Sequence, residues 1–157
     1  MVRRLSKGQS AVELAFGVPL LVLLLLAVGD FARAFYLTMG VASAARAGVQ
    51  YGAQSYVRAV DNAGMITAAN NDAQNISGLS VAPSHFCVCD GSQCSPSQAS
   101  ACTVSCSAPP STCSQPKVFV QVTTSATYNT LINYPGIPSS IPLSSTAVLQ
   151  AQSGQGL

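Results

Sequence analysis

The sequence predicts an α+β protein: a long N-terminal helix, half in a membrane and half out, followed by a small antiparallel β domain carrying a disulfide-rich loop. Three observations carry this expectation. An uncharged apolar run extends from Leu14 to Gly29, and the chain then continues without proline to about Tyr56. Side-chain character alternates with a period of two from Val118 to Tyr128. Six cysteines lie together between Cys87 and Cys113, in a stretch rich in Ser and Pro.

A length of 157 residues allows one modest domain. Charged residues make up 8 % and apolar residues 48 %, whereas about a quarter of the residues in a soluble globular protein are charged. The net charge is +2, and no Lys/Arg cluster continues beyond the first residues, which argues against a nucleic-acid partner. From Gln9 to Gly29 about 21 residues, at about 1.5 Å each, span roughly 30 Å, the thickness of a bilayer core. Arg3, Arg4 and Lys7 precede the run, and Arg33 and Arg46 are sparse cations after it. The positive-inside rule therefore places the N-terminus in the cytoplasm and the chain after Asp30 outside. A cleaved secretory signal is the competing reading, with Ala32-Arg33-Ala34 offering small residues for cleavage, but Glu13 sits where a signal peptide turns apolar. Either reading delivers the remainder to an oxidising compartment.

Beyond Asp30 the helix is expected to run on to about Tyr56. Phe31, Phe35, Thr38, Ala42, Ala45, Val49, Gly52 and Tyr56 recur at steps of three and four and form one mildly apolar seam. Gly40, Ala44, Gly48 and Gly52 recur every four residues and form a ridge almost without side chains. A helix-interior glycine costs about 1 kcal/mol against alanine, and the close approach of another helix is the usual reason to accept it; a merely weak, glycine-tolerant helix is the plainer one. Pro19 removes one backbone bond inside the lipid span and is expected to kink or loosen it. A further short helix is expected near Val60–Asn70. From Leu79 the pattern turns strand-like, with the clearest strand at Val118–Tyr128 and a second, antiparallel to it, at Leu143–Gln150. Three prolines make Tyr134–Pro142 a loop in this reading.

Four groups of residues stand out chemically. Gly8 is followed five positions later by Glu13, a lone carboxylate at the edge of the apolar run. Holding it near the hydrocarbon boundary costs about 2–3 kcal/mol without a partner. Cleavage between Gly8 and Gln9 supplies one, because the new amino group lies about one helical turn away, on this chain or a packed neighbour; otherwise Glu13 snorkels to the interface. Asp30 and Arg33, three apart, are placed to form an interfacial ion pair worth less than about 1 kcal/mol. Gly40, Ala44, Gly48 and Gly52 are the candidate helix-packing surface.

The fourth group is Cys87, Cys89, Cys94, Cys102, Cys106 and Cys113. No pair of Cys-x2-Cys knuckles occurs, so a metal site, with His85 as a further ligand, is disfavoured. An even count in an extracytoplasmic, core-poor segment points to three disulfides, with fifteen connectivities open. A Cys87 thiol activated by His85, or a redox pair at Cys87-Val-Cys89, is the least implausible enzymatic chemistry, but such thiols oxidise outside the cytoplasm. No catalytic residue, cofactor or small-molecule substrate is expected.

The stretch Gly8-Gln-Ser-Ala-Val-Glu-Leu-Ala-Phe-Gly-Val-Pro-Leu-Leu, then Gly29-Asp-Phe-Ala-Arg-Ala-Phe-Tyr, then Ala44-Ala-Arg-Ala-Gly-Val-Gln-Tyr-Gly-Ala53, resembles the TadE/TadG-like pilus assembly family. The resemblance covers about residues 7–53. It departs from the family at Ala47, where Glu is common, and at Gln50, where Arg is frequent. It implies a minor pilin or pseudopilin that assists assembly of tight-adherence (Flp-type) type IV pili. A prepilin peptidase would remove residues 1–8, with Gly8 before the cut, Gln9 the new N-terminus and Glu13 the acidic position. Residues 9–29 would cross the bacterial inner membrane once, 30–75 form a periplasmic helical extension, and 76–157 form the β domain with its Cys-rich loop at 87–113. The implied partners are the inner membrane, other pilins, pilus-assembly proteins and the peptidase. A secreted disulfide-rich binding module released by signal peptidase is the alternative.

Overall fold

The computed structural model describes residues 6–89, 116–131, 136 and 138–152. Helix α1 runs from Ser6 to Gly52 without interruption, 47 residues with Pro19 inside it. At about 1.5 Å per residue it is roughly 70 Å long. One helix is thus long and apolar enough to cross a membrane, and its most apolar window is wholly unburied. Two short helices follow. In α2 (Tyr56–Ala59) the Ser55 side chain caps the first turn by accepting from the Arg58 amide. In α3 (Asn62–Asp72) Asp61 does the same for Gly64 at 2.9 Å. Each cap satisfies an amide that the first helical turn leaves without a partner.

The remaining chain forms one antiparallel sheet from β1 (Ser80–Cys89), β2 (Pro116–Asn129) and β3 (Ser140–Gln150), in the order β1-β2-β3. The expected strand at Val118–Tyr128 is the central one, and the expected second strand pairs with it as Ser125↔Ser144 and Val120↔Leu149. Two corrections follow. The loop expected to reach Pro142 ends earlier, because β3 begins at Ser140 and takes in Pro142 opposite Thr127. Pro83 likewise lies within β1. Both strands are edges, where alternate N–H groups point away from the ladder and a proline withholds nothing from it. Cys87 and Cys89 also belong to β1 rather than to a loop. The other four cysteines lie outside the described residues.

The alternation in β2 sorts its two faces. Val120, Val122, Thr124, Ala126 and Tyr128 are buried against the helices. On the opposite face Phe119 stacks on Phe86, its register partner, with ring centroids 5.6 Å apart. The buried side chains form two clusters. One joins Val41, Ala44, Ala69, Ala73, Ile76 and Ala126. The other joins Val49, Ala59, Met65, Val120, Val122 and Ala151. Each draws on α1, on the following helical segment and on the sheet, so the helical extension and the β domain share one core. Just past β3 the Gln152 amide donates to the Ala53 carbonyl at 2.8 Å and closes it.

Candidate functional site

The chemically distinctive residues fall at successive levels along α1. At its start, Gly8 and Gln9 are helical and Glu13 is exposed, one turn further on. The faces around it are apolar and exposed, with Val12 57 % and Phe16 79 % accessible.

At the far end of the apolar run the chain places Asp30, and the structure gives it partners other than Arg33. Asp30 is only 6 % exposed. Its Oδ1 accepts from the Tyr128 hydroxyl and, at 3.2 Å, from the Leu131 amide. The same hydroxyl lies 2.9 Å from the Asp30 carbonyl. Arg33, by contrast, is exposed. The expected Asp30–Arg33 pair is therefore replaced by a clip between α1 and the end of β2. Buried, hydrogen-bonded contact with neutral donors desolvates the carboxylate without the cost of also burying a guanidinium. Nothing in the local sequence points to Tyr128; the available signal was a tyrosine closing the inward face of the best strand, opposite a charge that closes an apolar run.

The small-residue ridge lies beneath the chain's own domain. A Cβ added at Gly48 would stand 3.1 Å from Val122 Cγ1, 3.2 Å from the Met65 carbonyl oxygen and 3.4 Å from Ala69 Cβ. At Gly52 it would meet Met65 Sδ at 2.7 Å and Val120 Cγ1 at 2.8 Å, and at Gly40 it would meet Ile76 Cδ1 at 2.6 Å. Ala44 is fully buried. Close approach is thus the reason for the ridge, but α3 and the sheet of the same chain make it. The seam read from sequence meets this face only in its later part, since Phe31, Phe35 and Thr38 are exposed whereas Ala45, Val49 and Gly52 are buried. A polar group sits in the middle of the contact. The buried Thr124 hydroxyl donates to the Val41 carbonyl at 2.7 Å, a bond that only this register of sheet on helix allows.

At the top of α1 the Tyr51 hydroxyl donates to Asp61 Oδ2 at 2.8 Å while Oδ1 caps α3. The Gly64 amide, and next the Tyr51 hydroxyl, hold the Asp61 carboxyl below its ordinary value of 3.8. The Arg58 guanidinium lies 4.8 Å over the Tyr51 ring. Gly64 is required here, because a Cβ would collide with both Tyr51 and Asp61.

Cys87 is buried, and no free cysteine is found among the described residues. Among the described residues no group of three or more His, Cys, Asp or Glu is placed to hold a metal. What these contacts do is to fix the sheet and the short helices to the C-terminal half of α1, while the large apolar side chains of its N-terminal half stay exposed.

A family model described as TadE-like protein matches residues 8–50, beginning at Gly8 and covering the apolar run and most of the ridge. No curated protein and no solved structure matches the chain.

Proposed function

We propose that this chain is a pilin-like structural subunit, a minor pilin or pseudopilin, for assembly of a Flp/Tad-type type IV pilus. The observation that carries the reading is the TadE-like match over residues 8–50, which starts on the glycine of the inferred cleavage site and follows α1 through the apolar run. TadE-like proteins are structural components of pili rather than a known class of enzyme. In this reading a prepilin peptidase cuts after Gly8, α1 anchors the protein once in the inner membrane with its start in the cytoplasm, and the β domain stands in the periplasm. The helix from Val12 to Val28, whose large apolar side chains are all exposed, is then the part free to pack on other pilins or on lipid. The ridge at Gly40, Ala44, Gly48 and Gly52 supports the subunit internally instead. The cysteines from Cys87 to Cys113 act as an oxidised staple on the loop between β1 and β2.

Mass spectrometry of the mature protein from its native membrane tests this directly. An N-terminus at Gln9 is expected. A mature N-terminus near Phe35 would instead establish the secreted disulfide-rich binding module, with signal peptidase as the processing enzyme.

A further inference from the structure

The clip at Asp30 stands beside a groove of about 440 Å³ between α1 and the start of β3, lined by Leu23, Ala27, Phe31, Ala34 and Ile141 as well as by the clip itself. We infer that this end of the sheet is a membrane-seated foot, and that acyl chains of the outer lipid leaflet cover the groove. The inference rests on α1 spanning the membrane and goes beyond the pilin reading, which requires nothing of the β domain.

Depth is the first argument. A hydrocarbon core of about 30 Å takes about twenty helical residues. Counted from Glu13, the charge at the inner end of the run, twenty residues lead to Arg33, not to Asp30. Asp30 therefore lies at the outer boundary when the span is counted from Gln9 and nearly one turn inside it when counted from Glu13, and at either depth a bare carboxylate is disfavoured. The structure shields it with the Tyr128 hydroxyl and the Leu131 amide. Those donors reach Asp30 only if the end of β2 descends to the same depth. Arg33, exposed and one turn higher, is placed to extend to the headgroups.

The second argument is what surrounds the clip. Phe31 is 73 % exposed and Leu131 64 %, and Phe35 and Tyr36 follow on the helix, both exposed. Tyrosine is enriched at membrane–water interfaces, and the exposed Phe31 and Phe35 beside Tyr36 add apolar surface at the same level. Finally, the groove is continuous with surface that lipid must already cover. Leu23 and Ala27 line its lower part, and both belong to the apolar run that crosses the bilayer. An occupant reaching that depth has to be apolar, and acyl chains are already there.

The chain contains no tryptophan, so single tryptophans report their own surroundings. Leu131→Trp, Phe31→Trp and Val57→Trp each replace an exposed side chain; Phe31 marks the span and Val57, in α2, the end far from the membrane. Each full-length variant is reconstituted in phosphatidylcholine–phosphatidylglycerol vesicles, with and without acyl chains brominated near the headgroup. The expected result is blue-shifted, bromine-quenched emission from Leu131→Trp, close to that of Phe31→Trp, while Val57→Trp emits as in water and is not quenched. Quenching of Phe31→Trp with water-like, unquenched emission from Leu131→Trp overturns the foot and leaves the spanning helix intact. A blue shift at Leu131→Trp that bromolipid does not quench, and that disappears on diluting the protein in lipid, assigns the groove to a second copy and also overturns the proposal. Absence of quenching at all three positions removes the membrane reading on which it rests.

Discussion

Asp30 and Tyr128 are 98 residues apart in the chain, and their contact fixes how the sheet meets the helix where the helix leaves the apolar run. Removing the hydroxyl leaves a buried carboxylate oxygen short of a donor, which costs about 1–3 kcal/mol. Tyr128→Phe should therefore lower the thermal unfolding midpoint of the detergent-solubilised protein clearly. Tyr36→Phe removes a hydroxyl whose bond to Asn75 is exposed, and it should stay within about 0.5 kcal/mol of the parent. Equal midpoints for the two would show that the clip carries no stability. Asp61 makes a second prediction at this scale. Its carboxyl is held below its ordinary value by the Gly64 amide and then the Tyr51 hydroxyl. A depressed folded value means that the ionised form stabilises the fold above the unfolded value of about 3.8, and that this contribution fades as pH falls through the folded value. Asp61→Asn keeps a capping oxygen but cannot titrate. Its urea midpoint should fall less than the parent's between pH 6 and pH 3, as followed by circular dichroism; parallel declines would assign the acid sensitivity to other groups.

At the scale of elements, the ridge of α1 is the surface against which the domain is built. Gly48→Leu places a branched side chain where the Met65 carbonyl and Ala69 stand 3.2 and 3.4 Å from a mere Cβ. Part of that obstruction is backbone, so the helix pair must separate, and overpacking of this kind costs about 1–3 kcal/mol. Gln50→Leu, on the exposed side of the same turn, should be nearly neutral; chemical denaturation of both variants compares them, and equal losses would mean that the face has no special role. The ridge shows what a sequence can and cannot disclose. Glycines at a spacing of four announce that something comes close, because helical periodicity is local. Which surface comes close is a long-range fact, and here it is α3 and β2 rather than another subunit's helix. The same division holds elsewhere. The inward face of β2 was legible from its alternation, as was the antiparallel partner after Leu143. The extension of β3 through Pro142 was not, because proline's penalty depends on whether the strand is an edge, which only the strand order decides. Asp30 was legible as an anomaly but its donor was not, since the three-residue spacing to Arg33 is visible in sequence and the fold that brings Tyr128 is not.

Among the described residues, α1 divides into a bare N-terminal half and a C-terminal half clad by the rest of the chain. Among the described residues, the buried positions of α1 lie at or beyond Asp30, and the large apolar side chains from Val12 to Val28 are exposed. If such a rod packs on others through its bare end, the one carboxylate among the described residues there is Glu13. After cleavage behind Gly8 the amino group of Gln9 would be a cation about one helical turn away. Pairing the two ions offsets part of the cost, several kcal/mol, of holding either away from water. If the amine belongs to a neighbouring subunit, the pair also sets the axial register between two rods that otherwise slide on uniform leucine surfaces. Glu13→Gln preserves size and polarity and removes the charge. It should leave the fold untouched, because Glu13 is exposed and far from both core clusters. Gly8→Ala should act earlier, leaving the leader attached. In a strain whose sole copy carries Glu13→Gln, immunoblotting is expected to detect an inserted, largely cleaved protein, while electron microscopy finds few or no pili. Full piliation with complete cleavage would reduce Glu13 to a side chain that snorkels to the cytoplasmic interface, and register between subunits would then have to come from the shapes of the exposed leucines alone.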